Sequence, residues 1–133
     1  ARDNDFIHWD VDIDLFAPED CKSALFNLLK KLDYKPEFEE NSIKANMLLE
    51  NGIKIPLGVD FFNSDSNTFI DRFEDYYWEW PTLMFTKSKK IKVHGQLLNI
   101  PASTNKYLTG VYGKNWSTPN LDFNYSDYSG KIS

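Results

Sequence analysis

The alternation of apolar and acidic residues near the start of the chain is its clearest local pattern. Residues 6–16 alternate from Trp9 onward, and the polar positions hold Asp10, Asp12 and Asp14. A period of two is typical of a β-strand with one buried face and one polar face. The pattern therefore predicts a strand over 6–16 that carries three carboxylates on one face.

Beyond this strand, the spacing of apolar residues predicts one helix and several short strands. Leucines recur at intervals of three and four between Pro18 and Asp33, which is typical of an amphipathic helix over 18–33. Asn51-Gly52 suits a tight hairpin turn because both residues tolerate positive φ angles. The predicted strands of this half of the chain lie at 43–49, 53–55 and 58–62.

The second half of the chain combines an aromatic segment with a second hairpin. Residues 76–81 are aromatic and end in proline, so we expect an irregular packed loop there. The dipeptide Gly95-Gln96 is flanked by residues 91–94 and 97–100, and it predicts a hairpin with strands at these two segments.

The order of these elements predicts an α/β (α+β) domain with a mixed sheet and flanking helices. A short helix over 104–112 would end at Gly113, where a glycine C-cap is expected. After it the chain is polar and lacks any period, which favours an extended tail. We therefore expect one domain over 1–119 and a C-terminal tail over 120–133.

Composition limits the partners that this domain can have. The chain has 133 residues, 41% of them hydrophobic, which is enough material for one core. With 15 Lys and Arg against 20 Asp and Glu, its net charge of −5 would repel a phosphate backbone, so we expect no nucleic acid partner. No stretch approaches the roughly 20 apolar residues of a spanning helix, so we expect no membrane span.

The clustered aspartates indicate a site for a divalent cation. Alternate residues of a strand lie about 6–7 Å apart, so ionised Asp10, Asp12 and Asp14 would repel one another without a cation. Asp60 is a single carboxylate in the apolar strand 58–62 and is a further candidate ligand. Oxygen ligands favour Mg²⁺ or Mn²⁺, and Mg²⁺ usually shares its shell with substrate phosphates and water.

Two other interpretations fit the same acidic pattern. The aspartates could line a solvated strand face, although Asp is disfavoured in strands and no Lys or Arg is interleaved. They could also open an EF-hand calcium loop, but Leu15 stands where that loop needs a glycine turn, and Glu at its twelfth place is absent.

Four segments together resemble the LicD/fukutin phosphotransferase family. Phe6–Asp14 is similar to the family signature F-I-P-W-D-x-D-I-D, and Arg2 fits the arginine that opens it. The other three segments follow in the same order as in the family, at Val59–Phe62, Phe85–Pro101 and Tyr107–Pro119. The resemblance implies a nucleotidyltransferase-like fold that lacks its N-terminal part here, because the glycine-rich turn preceding the signature is missing.

The resemblance also implies an activity and a set of site residues. The family transfers a phospho-alcohol, such as phosphocholine or a polyol phosphate, from a CDP-linked donor to a glycan or glycoconjugate acceptor. By this resemblance Asp12, Asp14 and Asp60 hold Mg²⁺ or Mn²⁺, and Arg2 pairs with a phosphate. Asp10 is the expected group that orients or deprotonates the acceptor hydroxyl.

Two alternatives stay open at this point. The same metal site could transfer a nucleoside monophosphate and release pyrophosphate, as other members of this fold do. A partial domain could also bind a nucleotide or a partner without turnover.

Overall fold

The computed structural model describes residues 10–73, 75–120, 122–128 and 130–131. These residues belong to two compact units, an N-terminal unit within Ile7–Asp65 and a C-terminal unit within Ser66–Ser133. The described chain combines several sheets with few helices, so the expected mixed α/β class is confirmed in general terms. No described helix has the length and apolar character needed to cross a membrane.

The N-terminal unit is a four-stranded mixed sheet with one α-helix. Its strands lie in the order β1-β4-β3-β2, with β1 parallel to β4 and the other neighbours antiparallel. A 3₁₀ turn over Glu19–Cys21 leads into the helix. The elements are β1 (Ile13–Pro18), α1 (Lys22–Lys31), β2 (Glu37–Phe38), β3 (Ser42–Leu48) and β4 (Lys54–Phe62).

One face of this sheet forms the core of the unit. The buried residues Ile43, Ala45, Val59 and Phe61 alternate along β3 and β4, and Leu29 of α1 is buried in the same cluster. Burying a side chain of this kind stabilises a fold by about 1.5–3 kcal/mol. The helix therefore covers the apolar face, which agrees with the amphipathic pattern of 18–33.

Helix α1 ends in a Schellman motif that turns the chain back to the sheet. Asp33 adopts a positive φ of 60°, and its N–H donates to the Lys30 carbonyl at 3.1 Å. The Tyr34 N–H donates to the Leu29 carbonyl at 3.0 Å, which satisfies a second carbonyl of the last turn. Tyr34 then packs against the core cluster that contains Leu29.

Two strand predictions of the N-terminal unit need correction. The strand expected over 6–16 begins only at Ile13, and residues 6–9 lie outside the described residues. The strands expected at 53–55 and 58–62 are one continuous strand, β4, which runs through Pro56. Opposite Pro56, the Asn46 N–H donates to the Tyr34 carbonyl, so the missing N–H of proline removes no bond between β3 and β4.

The C-terminal unit contains two further sheets. Strands β5, β6 and β9 form one of them, and β7 and β8 form a hairpin. The elements are β5 (Thr68–Phe73), β6 (Tyr76–Pro81), α2 (Leu83–Thr86), β7 (Ser88–Val93), β8 (Gln96–Pro101), α3 (Thr104–Tyr112), a 3₁₀ turn (Tyr125–Asp127) and β9 (Gly130–Lys131). Helix α3 and its end at Gly113 match the prediction.

The aromatic segment is a strand, so the loop predicted over 76–81 is wrong. Trp78 and Trp80 point to one face of β6 and are 2% and 0% exposed, whereas Tyr77 on the other face is 47% exposed. A period of two is thus present in the sequence, and Pro81 ends the strand instead of breaking it. The turn of the following hairpin is His94-Gly95, one residue earlier than predicted, and both residues have positive φ.

Gly113 allows α3 to end where the C-terminal aromatic residues pack. Its backbone lies at φ 81° and ψ 176°, a region that is essentially restricted to glycine. A Cβ at this position would lie 2.6 Å from Cζ of Tyr128. The Tyr128 ring in turn stacks on Phe123, with ring centroids 6.0 Å apart.

We predict that Gly113→Ala lowers the free energy of unfolding more than Gly95→Ala. Gly95 has a comparable φ of 81° but no atom within 4 Å of an added Cβ, so it is the matched control. The difference between the two variants should be about 1–3 kcal/mol, because both place a side chain at positive φ but only Gly113→Ala displaces the Tyr128 ring. Urea unfolding measures the free energy of each variant. Equal losses in both variants would show that the contact between position 113 and Tyr128 has no effect on stability.

Candidate functional site

The site is built on the face of the N-terminal sheet opposite the core. In β4, Val59 and Phe61 point into the core, so Gly58 and Asp60 point to the other face. Asp14 of β1 is paired with Gly58, and Phe16 is paired with Asp60. Asp14 and Asp60 therefore lie on the same polar face of two adjacent parallel strands.

Gly58 leaves space for the carboxylate of Asp14. A Cβ on Gly58 would lie 3.2 Å from Oδ1 of Asp14, which is closer than most Cβ contacts. Two residues further along β4 is Asp60, and it is diagonal to Asp14 across the pair of strands. With normal strand spacings their α-carbons are roughly 8 Å apart, which lets the two carboxylates approach each other.

Burial and mutual repulsion disfavour the charged forms of these carboxylates. Burial raises the pKa of Asp60 to about 6, the charge of Asp14 adds to the shift, and Lys44 partly opposes it. The pKa of Asp14 is raised by burial and then by the charge of Asp12. A carboxylate pair of this kind gains most from a neighbouring positive charge.

Two charged residues lie near Asp60, namely Lys44 of β3 and Glu39 in the segment before β3. Lys44 Nζ lies 2.9 Å from Glu39 Oε1, and Ser42 Oγ donates to Glu39 Oε2 at 3.4 Å. Ser42 and Lys44 are paired with Asp60 and Gly58 respectively, so they share the polar face. The charge of Lys44 lowers the pKa of Asp60, whereas the charge of Glu39 raises it and so opposes the effect of Lys44.

Asp10 and Asp12 lie in the segment that precedes β1, so they are not on a strand face as predicted. Both are exposed. The pKa of Asp10 is raised by partial desolvation of its carboxyl group, by a side-chain hydrogen bond with Asp12, and by the charges of Asp12 and Asp14. The charge of Asp12 thus acts on Asp10 and Asp14, and the charge of Asp14 acts on Asp60, but Asp14 and Asp60 alone share a strand pair. Arg2, the predicted phosphate-binding residue, lies outside the described residues.

The carboxylates do not form a ready-made metal cage. In the described part of the chain, no group of three or more His, Cys, Asp and Glu side chains is arranged to hold a metal ion. The assignment of Asp12 as a third ligand therefore stays a prediction. Mg²⁺ often takes only one or two carboxylates and completes its shell with water and phosphate oxygens, so the pair of Asp14 and Asp60 is compatible with this ion.

Sequence reasoning missed Gly58, Lys44 and Glu39 as members of the site. The alternation of polar and apolar residues in β3 puts Ser42 and Lys44 on one face, and this signal was available in the sequence. Their position beside Asp60 depends on the register between β3 and β4, which no local pattern specifies. The same is true of Gly58 and Asp14.

We predict that Asp60→Asn stabilises the metal-free protein near neutral pH. The folded pKa of about 6 lies above the ordinary value of 3.8, so the folded state binds more protons within that range and stability falls as pH rises through it. After allowance for solvent screening at this half-buried group, the penalty is about 1–2 kcal/mol.

The measurement is urea unfolding with chelator at several pH values from about 3 to about 8, a span that includes both the ordinary pKa of 3.8 and the folded pKa of about 6. Asp65→Asn, at an exposed position in the loop after β4, is the control and should follow the wild-type profile. Wild type and Asp60→Asn should converge at the acid end. Parallel profiles for all three proteins would show that Asp60 carries no such penalty.

Models of known protein families do not match the chain, and curated proteins do not match it either. Membership of the LicD/fukutin family therefore rests on the motif resemblance and stays a prediction. The structural evidence for function is the order of the strands in the N-terminal sheet and the pair formed by Asp14 and Asp60.

Proposed function

We propose that the N-terminal unit carries the active site of a metal-dependent phosphotransferase. It would move a phospho-alcohol, such as phosphocholine or a polyol phosphate, from a CDP-linked donor to a hydroxyl of a glycan or glycoconjugate. The observation that carries the proposal is the carboxylate pair of Asp14 and Asp60 on adjacent parallel strands, with both pKa values raised. Perturbed carboxylates of this kind are common at sites that bind cations and phosphates.

The topology of the N-terminal unit supports a nucleotidyltransferase-like fold. In that fold, as the resemblance implies, an Asp-x-Asp motif on one strand faces a third Asp on a neighbouring strand. Here Asp14 follows Asp12 by two residues at the start of β1, and Asp60 lies on the adjoining β4. Helix α1 packs on the opposite face of the sheet, so it does not cover the carboxylates.

Asp12, Asp14 and Asp60 are the residues that would hold Mg²⁺ or Mn²⁺. Oxygen ligands alone favour these hard cations. The bound metal would supply positive charge to the donor's pyrophosphate and to the nucleoside monophosphate that leaves. Gly58 has no side chain, so it does not crowd the Asp14 carboxylate that would hold the cation.

Asp10 is the residue proposed to act on the acceptor. The acceptor oxygen attacks the phosphorus of the phospho-alcohol, the bond from that phosphorus to the nucleoside monophosphate breaks, and the hydroxyl proton passes to the Asp10 carboxylate. Its raised pKa, caused by partial desolvation and by Asp12, strengthens it as a base. Arg2 would pair with a phosphate oxygen of the donor.

The products distinguish this reaction from the two alternatives. Phospho-alcohol transfer releases nucleoside monophosphate, whereas nucleotidyl transfer at the same site releases pyrophosphate. A domain that only binds nucleotide releases neither. Chromatography of the products formed from a CDP-linked donor and a glycan acceptor therefore decides among them.

We predict that Mg²⁺ or Mn²⁺ raises the thermal unfolding midpoint of the wild-type protein. The cation binds the folded carboxylate pair and removes its repulsion, so it stabilises the folded state by mass action. Asp14→Asn and Asp60→Asn should each abolish most of this shift. The control variant Asp65→Asn should keep it, and an equal shift in all four proteins would contradict a site at Asp14 and Asp60.

We also predict that binding of a CDP-linked donor requires the metal. Calorimetric titration of CDP-choline should give heat with Mg²⁺ or Mn²⁺ and none with chelator, because the pair alone repels the pyrophosphate. Asp14→Asn should weaken binding at least tenfold, which corresponds to about 1.4 kcal/mol. Donor binding that is unchanged by chelator and by Asp14→Asn would reject the proposed site.

A further inference from the structure

Positive charge is concentrated in one stretch of the C-terminal unit. Between Pro81 and Leu121 the sequence has no Asp or Glu, although the whole chain has a net charge of −5. The same stretch contains Lys87, Lys89, Lys90, Lys92, Lys106 and Lys114. All six lysines are exposed, and none of them has a salt-bridge partner among the described residues.

The β7–β8 hairpin displays part of this charge on a defined face. In its register Lys90 is opposite Asn99 and Lys92 is opposite Leu97, so these four residues share one face. Val93 points to the other face and is 7% exposed, which fixes that face as the inner one. We call the face formed by Lys90, Lys92, Leu97 and Asn99 the lysine face.

Leu97 is an exposed apolar residue on the lysine face. It is 65% exposed, although it lies directly opposite Lys92 in a regular strand pair. A soluble polyanion would gain nothing from an exposed leucine, whereas a lipid surface takes up both the charge and the apolar side chain. The chemistry of the lysine face is therefore that of an interfacial anchor.

Nucleic acid fits this surface less well. Proteins that bind single strands without sequence preference combine lysines and arginines with aromatic side chains on which bases stack. Residues 88–101 contain no Phe, Tyr or Trp, and they contain no Arg. The hairpin thus has lysines that could bind phosphates, but it lacks aromatic side chains on which bases could stack.

We propose that the lysine face docks on the surface of a bilayer rich in anionic phospholipids. Lys90 and Lys92 contact headgroup phosphates, and Leu97 enters the boundary between headgroups and acyl chains. The two-residue turn at His94-Gly95, with φ values of 45° and 81°, holds the strands in the register that puts these side chains together. The inference is independent of the proposed chemistry, because its residues belong to the other unit.

Flotation of the full chain with lipid vesicles tests this proposal. One set of vesicles is phosphatidylcholine alone, and in the other about a third of the lipid is phosphatidylserine, which gives the negative surface that lysines recognise. We expect binding to the second set only. Raising the salt from about 0.1 M to about 1 M should release the protein, because the screening length falls from about 10 Å to about 3 Å.

Charge variants show whether the lysine face is responsible. Lys90→Gln combined with Lys92→Gln should weaken binding about 25-fold, that is about fivefold for each lysine. Lys35→Gln combined with Lys54→Gln removes the same charge from exposed positions of the N-terminal unit and should retain binding. Equal binding of both double variants would overturn the proposal, as would equal binding to the two sets of vesicles.

A variant at Leu97 distinguishes binding to a membrane from binding to a soluble polyanion. Leu97→Ser should lower vesicle binding several-fold and leave binding to inorganic polyphosphate unchanged, because only the bilayer takes up the leucine side chain. Leu48→Ser, at a position of β3 that is 60% exposed, is the matched control and should bind vesicles like wild type. Vesicle binding that is unaffected by Leu97→Ser would replace the membrane with a soluble polyanion as the partner and overturn the proposal.

Discussion

The central strand β4 is the constraint on which the N-terminal unit depends. It pairs with β1 at one edge and with β3 at the other. One of its faces packs in the core, and the other carries Gly58 and Asp60. Val59 and Phe61 are held in the core by α1 and β3, and the alternation of a strand then forces Gly58 and Asp60 to the opposite face. The energy of the core therefore positions a carboxylate that the fold itself disfavours in its charged form.

This arrangement links stability to function in a specific way. A carboxylate with a raised pKa beside a second carboxylate is a local conflict in an otherwise consistent sequence, and such conflicts are expected where a ligand resolves them. Lys44 gives only partial relief because it is also bound to Glu39. A divalent cation together with substrate phosphates would complete the balance of charge, which is why we favour phosphoryl-type transfer.

The two units differ in the charge of the residues to which we assign a function. The proposed catalytic carboxylates are in the N-terminal unit, whereas the stretch from Pro81 to Leu121 contains lysines and no acidic residue. In the C-terminal unit the core is built from aromatic side chains, with Phe69 and Phe85 in edge contact at 5.1 Å. In the β7–β8 hairpin Val93 is buried, so the face that carries it is the inner one and the lysine face is the outer one.

The sequence by itself determined those features that depend on neighbouring residues in the chain. The leucine spacing specified α1, Gly52 supplied the positive φ of 83° in the first hairpin loop, and Gly113 specified the end of α3, because helix periodicity and positive φ angles are local properties. Asn51 does not adopt the positive φ of the tight turn that was predicted, and the loop between β3 and β4 spans residues 49–53. Register and strand pairing are not local. Only the tertiary structure therefore made β4 one continuous strand, paired β6 with β5 and β9, and brought Asp14, Gly58 and Lys44 to the face that carries Asp60.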